Sequence, residues 1–228
     1  MHIPDGYLSP QTYIPMYGIS IAFWTAAVKK MKKQLNTKLV PYIAMSSAFS
    51  FLVMMFNFPI PGGTTGHAVG AGIITLLLGP WTAVIVVSTV LLIQALVFGD
   101  GGITTYGANC FNMAIVIPFV SYGVFKLFNG SYLKKGIRLY IASFLSGYVG
   151  LVVASAFAGF ELGIQPLIAS SHGKPLYFPY PLSIAVPAML IGNLLVFGIV
   201  EGIITALLFQ YMLHHEPDLI YVTKKRVK

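Results

Sequence analysis

Apolar residues run along this chain in long stretches, separated by short breaks rich in glycine, proline or lysine. A helix that crosses the core of a bilayer needs about 20 mostly apolar residues. Six stretches approach or exceed that length, at 11–33, 39–57, 81–98, 103–128, 139–160 and 182–213. The pattern therefore predicts an all-α, polytopic membrane protein in which residues 1–228 form a single domain.

Residues 58–67 break the helical pattern without adding a charge to keep them in water, since they contain Pro59, Pro61 and several glycines. Irregular backbone at membrane depth is tolerated only where it is buried in protein or lines a cavity. We therefore expect an inserted loop that ends at His67. Residues 67–79 should follow as a short seventh helix, ended by Gly79 and Pro80. A second loop is expected at 161–181.

The composition supports membrane insertion, with 57% hydrophobic and 9% charged residues. Soluble domains average about 25% charged residues. The first residues lack the basic and apolar regions of a cleavable signal peptide, so we expect the N-terminus to be retained. Cys110 is the single cysteine, which excludes an intramolecular disulfide and favours a small buried side chain.

Positive charge predicts the orientation. Thirteen of the 14 basic residues fall in 29–38, 126–138 and 224–228, which the predicted helices place on one side, and Lys174 falls on the other. Short loops rich in Lys and Arg stay in the cytoplasm. The N-terminus is then outside and the C-terminus is cytoplasmic, which requires an odd number of spans. No basic stripe interleaved with aromatics is present, so a nucleic-acid partner is not indicated.

The segment 1–10 carries the most distinctive chemistry. With His2 directly after Met1, the α-amine, the His2 amide and the imidazole Nδ1 can close a five- and a six-membered chelate ring around one ion. Three nitrogens in a plane suit Ni(II) or Cu(II) better than Zn(II), Mn(II) or Mg(II). An exposed terminus is ordinarily frayed, but Pro4, the Asp5-Gly6 pair and Pro10 stiffen this one.

Other polar residues are expected on the same outer side. His67 is the natural fourth nitrogen donor, although it could instead be a hydrogen-bonded residue at a helix start. Asp100 and Asp5 could offset charge near a metal or serve only as turn residues. Asn109 and Asn112 lie three residues apart on one helix face, where they either join helices or support the site.

Several further residues have open roles. Glu201 lies inside the last helix, where a charge is costly, and we assign it to packing or to contact with a partner subunit. His172, His214 and His215 are ionisable but nothing in the sequence ties them to the outer site. Small-residue pairs can seat helices closely; they occur at Ala22/Ala26, a possible partner contact, and at Ala154/Ala158 and Gly198/Gly202.

These motifs resemble one family. Met1-His2-Ile3-Pro4-Asp5-Gly6, Pro61-Gly62-Gly63-Thr64-Thr65-Gly66-His67, Gly99-Asp100-Gly101-Gly102 with Gly107-Ala108-Asn109, and Glu201-Gly202 are similar to those of the CbiM/NikM family. The resemblance implies the seven-helix substrate-binding subunit of an energy-coupling-factor (ECF) importer for nickel or cobalt, with the metal held by Met1, His2 and His67. The opening His-Ile-Pro-Asp-Gly resembles the nickel branch.

The resemblance also implies partners in the membrane of a prokaryotic cell: a transmembrane coupling subunit, a cytoplasmic ABC ATPase and a small accessory membrane protein. No Gly-Lys-Ser/Thr phosphate loop is present in this sequence, which agrees with ATP hydrolysis in a separate subunit. We therefore expect a non-enzymatic component that captures Ni(II) outside. A cobalt carrier and an ATP-independent metal channel remain alternatives. A metalloenzyme is not indicated, because the sequence lacks a His-Glu-x-x-His motif.

Overall fold

The computed structural model describes residues 1–33, 37, 39–130 and 136–224. Seven main helices follow one another in these residues: α1 Pro10–Lys32, α2 Leu39–Met54, α3 Ala71–Leu78, α4 Pro80–Phe98, α5 Tyr106–Asn129, α6 Ile137–Ile168 and α7 Leu182–His215. A 3-10 turn, Pro217–Leu219, and a short helix α8, Tyr221–Lys224, end the described chain. The prediction of an all-α fold is confirmed.

Four of the helices in the described ranges, α4 to α7, are long and apolar enough to cross a membrane, with mean hydropathies of 1.6 to 2.3. Helix α2 is apolar but shorter. The membrane character of the chain is therefore supported by its helices. The number of crossings and the orientation stay predictions, and several lysines and one arginine used for the orientation lie outside the described residues: Lys38, Lys134, Lys135, Lys225, Arg226 and Lys228.

Two loops contain small antiparallel hairpins rather than plain irregular backbone. In the 58–67 loop, β1 Phe58–Pro59 pairs with β2 Thr65–Gly66. After α6, β3 Ser170–Ser171 pairs with β4 Lys174–Pro175. Two-residue strands contribute no core of their own, so these hairpins serve to fix the path of the loops.

Two predicted boundaries are wrong. The short helix begins at Ala71 rather than at His67, because Gly70 adopts a left-handed φ of 74° that interrupts the helix. Glu161 was placed in a loop, but α6 continues to Ile168 and Glu161 is buried within it. The buried face that contains Ala154 and Ala158 continues to Leu162, so packing extends the helix beyond the prediction.

Three helices widen into π-helical turns at Gln94–Phe98, Cys110–Val116 and Asn193–Phe197. Such turns are rare and occur often at functional sites, because they displace the side chains that follow relative to a regular helix. The sequence did not predict them. Two of them belong to α4 and α5, the helices that hold the N-terminal segment.

The centre of the bundle is closely packed. A Cβ on Gly72 of α3 would lie 2.6 Å from Thr205 Oγ1 of α7 and 2.9 Å from Gly147 Cα of α6. A Cβ on Gly202 would lie 2.7 Å from the Phe144 ring of α6. Glycine at these positions allows α3, α6 and α7 to meet at backbone distance, as small residues commonly do between membrane helices.

Candidate metal-binding site

The N-terminal segment is folded into the protein rather than frayed. Met1 and Ile3 are fully buried and His2 is 2% exposed. The Met1 amine donates a hydrogen bond to Thr65 Oγ1 over 3.0 Å, and Thr65 belongs to the hairpin that ends next to His67. The start of the chain and the 58–67 loop therefore meet at one buried place.

Ile3 is held on both sides of its backbone by α5 and the turn before it. Its N–H donates to Asn109 Oδ1 over 2.9 Å, and Asn109 Nδ2 donates to the Ile3 carbonyl over 3.1 Å. Gly102 N–H donates to the same carbonyl over 2.9 Å, and Thr105 Oγ1 is a third donor. Asn109 thus bonds both the N–H and the carbonyl of Ile3 and holds this part of the segment against α5.

Asp5 fastens the segment one turn further on. Its carboxylate accepts hydrogen bonds from the backbone N–H groups of Thr104 and Ile103, at 2.7 and 3.1 Å. Partial burial acts to raise the pKa of this carboxyl, but the hydrogen bonds outweigh it and the pKa lies below its ordinary value. The charge of Asp5 is therefore engaged with backbone amides of the 99–105 turn.

The single hydrogen bond of the His2 ring sets its tautomer. Its Nε2–H donates to Gln94 Oε1 over 3.1 Å, which leaves Nδ1 with a free lone pair. This buried Nδ1 receives no hydrogen bond. Burial, and then the nearby α-amine, lower the pKa of His2 to about 3, so the ring is neutral at physiological pH.

His67 has the complementary arrangement. Its Nδ1–H donates to the Ala68 carbonyl over 3.0 Å, and its Nε2 is buried without a hydrogen-bond partner. Burial holds its pKa well below the ordinary value, and the α-amine and His2 lower it further. His67 therefore presents a bare Nε2 lone pair at a fully buried position.

The two rings are stacked, with 4.7 Å between their centroids and 25° between their planes. Burial also holds the pKa of the Met1 α-amine well below its usual range, an effect partly offset by Asp100. No hydrogen bond is donated by the His2 backbone N–H to any described residue. The terminal amine, the His2 amide and the two stacked imidazoles thus share one buried region, in which His2 Nδ1 and His67 Nε2 have no hydrogen bond to lose.

Asp100 lies beside this cluster, with Oδ1 3.4 Å from His2 Nδ1. Its other oxygen accepts a hydrogen bond from Asn57 Nδ2 over 3.1 Å. Burial raises the pKa of the carboxyl, and the α-amine and Asn57 act in the opposite direction. A carboxylate in this position supplies negative charge to whatever cation binds the nitrogens.

The remaining residues singled out above lie elsewhere. Asn112 Nδ2 donates to Glu161 Oε2 over 2.7 Å, so it joins α5 to α6 and does not address the nitrogen cluster. Glu201 is fully buried and bonds the backbone of the 69–72 segment. Three histidines are exposed, and no contact joins them to the nitrogen cluster among the described residues: His172, His214 and His215. On α1, Ala22 is exposed and Ala26 half-buried.

Sequence reasoning missed Gln94 and Thr65. Gln94 is the one amide in the apolar stretch 81–98, and an unpaired amide in such a setting is costly, which was the available signal. Thr65 carried no comparable signal. Within the described residues, no cluster of three or more His, Cys, Asp and Glu side chains is arranged to hold a metal. The nitrogens of the cluster described above come instead from the terminal amine, one backbone amide and two imidazoles.

These features define a helical membrane protein with a buried cluster of terminal and imidazole nitrogens. A family model, CbiM, described as the cobalt uptake substrate-specific transmembrane region, matches residues 2–219. The chain therefore belongs to the CbiM family. The family members that it resembles are named as transport proteins.

Relatives with curated names agree with this assignment. A fused nickel transport protein NikMN of Rhodobacter capsulatus is 48% identical over 221 residues, which are 96% of this chain; the chain spans 64% of that fused protein. A putative metal transport protein of Methanocaldococcus jannaschii is 46% identical over 228 residues, 100% of this chain and 98% of the relative. A crystal structure of a truncated transition-metal transporter matches with a TM-score of 0.90 and 50% identity, over 94% of this chain and 99% of that one.

Proposed function

We propose that this chain captures Ni(II) with four nitrogens: the Met1 α-amine, the deprotonated His2 amide, His2 Nδ1 and His67 Nε2. The observation that carries the proposal is the pair of imidazoles, each with one nitrogen tied by a hydrogen bond and the other buried and bare. Fixing one ring nitrogen through an outer partner is the usual way in which proteins orient a metal-binding histidine.

The chelate geometry favours a planar ion. Amine, amide and Nδ1 of the first two residues occupy three corners of a plane, and His67 then lies opposite the amide and beside His2 Nδ1. Two imidazoles bound side by side at a metal–nitrogen distance of about 2 Å have ring centroids roughly 4.4 Å apart. The observed 4.7 Å is close to that separation. Tetragonal nitrogen sites of this kind suit Ni(II) and Cu(II).

Charge supports the same assignment. Ni(II) bound to one amide anion keeps a single positive charge, which would be costly at a buried site without a counter-charge. Asp100, 3.4 Å from His2 Nδ1, supplies that counter-charge. The amide is the ligand that distinguishes this site from ordinary histidine sites, since only strongly bound d-block ions displace its proton.

In the transporter, we propose that the chain is the substrate-capture component of an ECF-type importer. It would cross the membrane seven times and bind the ion on the outer side. The ion would pass inward when a transmembrane coupling subunit and a cytoplasmic ATPase act. The resemblance on which this rests includes a fused nickel transport protein among the relatives. The exposed Ala22 side of α1 is our proposed contact for the coupling subunit.

Cobalt is the second candidate ion, because the family model describes cobalt uptake and a cobalt transport protein CbiM of Chlorobium limicola is 30% identical over 96% of this chain. Binding constants for Ni(II) and Co(II), measured by competition, separate the two. We expect Ni(II) to bind more tightly, as the order of divalent metal affinities also requires. Tighter Co(II) binding would assign the chain to cobalt.

The test of the site itself is to remove the free terminus. A three-residue Gly-Ser-Gly extension ahead of Met1 converts the α-amine into an amide and is expected to abolish nickel binding in calorimetry. The same extension at the C-terminus is the control and should leave binding intact. Unchanged nickel affinity in the N-terminally extended protein would overturn the proposed ligand set.

A further inference from the structure

The peptide group between Ala68 and Val69 joins two functional side chains. Its carbonyl accepts the hydrogen bond from His67 Nδ1–H over 3.0 Å. Its N–H donates to Glu201 Oε2 over 2.8 Å. One peptide plane therefore lies between the metal-facing imidazole and a carboxylate on α7.

Among the described residues, the Glu201 carboxylate is hydrogen-bonded only to backbone N–H groups. Oε2 also accepts the Gly70 N–H over 2.8 Å, and Oε1 accepts the Gly72 N–H over 3.0 Å. The side chain is fully buried, and no ion pair joins it to a Lys, Arg or His among the described residues. Its charge is stabilised by three backbone donors at the start of α3, where the helix dipole is also favourable.

The segment bound by Glu201 has little freedom to shift. Ser50 Oγ donates to the Val69 carbonyl over 2.8 Å, which fixes the next peptide group as well. At Gly72, a Cβ would lie 2.6 Å from Thr205 Oγ1, so this backbone already touches α7. The residues that follow His67 are thus held from both sides, and the orientation of the 68–69 peptide is set by Glu201.

We propose that Glu201 is a positioning residue for the metal: through the 68–69 peptide it holds His67 in the Nδ1–H tautomer and keeps Nε2 bare towards the ion. A negative charge at the far end of a chain of hydrogen bonds polarises each bond in it. Glu201 therefore also makes His67 Nε2 a stronger electron-pair donor to the metal. The claim about the His67 tautomer rests on geometry alone, whereas the claim about metal affinity rests on the proposed function.

If Glu201 had a purely structural role, it would only link α3 to α7. Its replacement would then affect the His67 imidazole no more than any other loss of packing does. The chain offers a matched control in Glu161, a second buried glutamate on a neighbouring helix, whose carboxylate bonds Asn112 and not the 67–72 segment. E201Q and E161Q each replace one buried carboxyl group with an amide of nearly the same size, so their difference isolates the connection to His67.

The first arm is ¹⁵N NMR of the metal-free protein labelled at histidine, with His67→Ala to assign its signals. We expect His67 in wild type and in E161Q to show a protonated Nδ1 and a bare Nε2. In E201Q its Nδ1 signal should move and the Nε2–H form should become populated, because the Gln amide cannot accept from all three backbone donors. Identical His67 signals in E201Q and wild type would overturn the proposal.

The second arm is Ni(II) affinity. E201Q should weaken binding about 10- to 100-fold, the usual effect of losing a partner of a ligand, while E161Q should stay within about twofold. In the H67A background, E201Q should add less than about twofold, because both changes act on one ligand. An equal loss from E201Q with and without His67 would contradict the connection. Unchanged affinity in H67A would instead contradict the proposed ligand set, and the NMR arm would still decide the role of Glu201.

Discussion

His2 Nδ1 lies 3.4 Å from Asp100 Oδ1, and no hydrogen bond joins the two atoms. The imidazole proton is on Nε2, where it is donated to Gln94, and the other Asp100 oxygen is bonded to Asn57. Two electron-rich atoms that face each other at a largely buried place repel unless a cation lies between or beside them. A metal ion bound at His2 Nδ1 would make this contact an attractive one.

Replacing Asp100 with Asn should separate binding from stability. The amide can donate to His2 Nδ1, so the metal-free protein should gain stability of about 1 kcal/mol, the typical net value of one hydrogen bond. The same change removes the counter-charge and occupies the Nδ1 lone pair, so Ni(II) affinity should fall about 10- to 100-fold. Thermal unfolding and calorimetry on D100N measure the two effects.

The control for that substitution is D218N, at an exposed aspartate in the 3-10 turn far along the chain. It should change neither quantity. A D100N protein that loses stability as well as affinity would mean that Asp100 is a structural turn residue and that its contact with His2 is incidental.

Gln94 should control the tautomer of His2. In Q94L the Nε2–H loses its acceptor, and the ring gains by moving the proton to Nδ1, where Asp100 can accept it. The metal then has to displace that proton, so we expect Ni(II) affinity to fall about 10- to 100-fold. T82V, which removes another buried polar group from the same helix, should bind nickel as wild type does, and equal affinities for Q94L and T82V would contradict this role.

Asn109 should hold the terminal segment in place. N109A removes both hydrogen bonds to the Ile3 backbone, so the Ile3 amide should exchange with deuterium much faster while the helices keep their protection. Hydrogen exchange read by mass spectrometry measures this. N112A on the same helix breaks only the bond to Glu161, so faster exchange at Ile3 in N112A would show that the two asparagines act through the helix as a whole.

Much of the architecture could be read from hydropathy because membrane helices have a simple requirement, which is length in apolar residues. The pairing of His2 with His67 was also accessible, since the chelate at the terminus lacks one nitrogen and His67 ends the only uncharged loop rich in glycine. Glu161 was misplaced because a helix end depends on tertiary packing, here the continued contact of Leu162 in the core, which local sequence does not record.

The hydrogen-bond partners were harder to predict. Asn109 and Asn112 share one helix and one residue type, yet the π-helical turn that begins at Cys110 changes the direction of the second, and only Asn109 reaches the terminal segment. Gln94 is a single amide in the apolar stretch 81–98, and the sequence does not show what it bonds. Its hydrogen bond to His2 forms only once α4 and the N-terminus are packed together, which is a property of the whole fold.

Proton release on metal binding gives a final prediction from the burial of the ligands. Burial lowers the pKa of the Met1 amine well below 8.0, that of His2 from 6.5 to about 3, and that of His67 well below 6.5. At pH 7 these three nitrogens are therefore neutral before the metal arrives. Of the four proposed ligands, only the His2 amide then has a proton to lose, so binding should release about one proton per ion.

Calorimetry in buffers of different protonation enthalpy counts these protons. The free peptide of residues 1–10 is the comparison, because its amine has an ordinary pKa near 8 and is mostly protonated at pH 7; it should release about two protons when it forms the same chelate. Between pH 7 and pH 6 the count for the folded protein should stay nearly constant, since its imidazoles do not titrate there, whereas the peptide count should rise as its histidine becomes protonated. Release of two protons by the folded protein at pH 7 would mean that the terminal amine is charged and hydrated before binding, which contradicts a preformed buried nitrogen site.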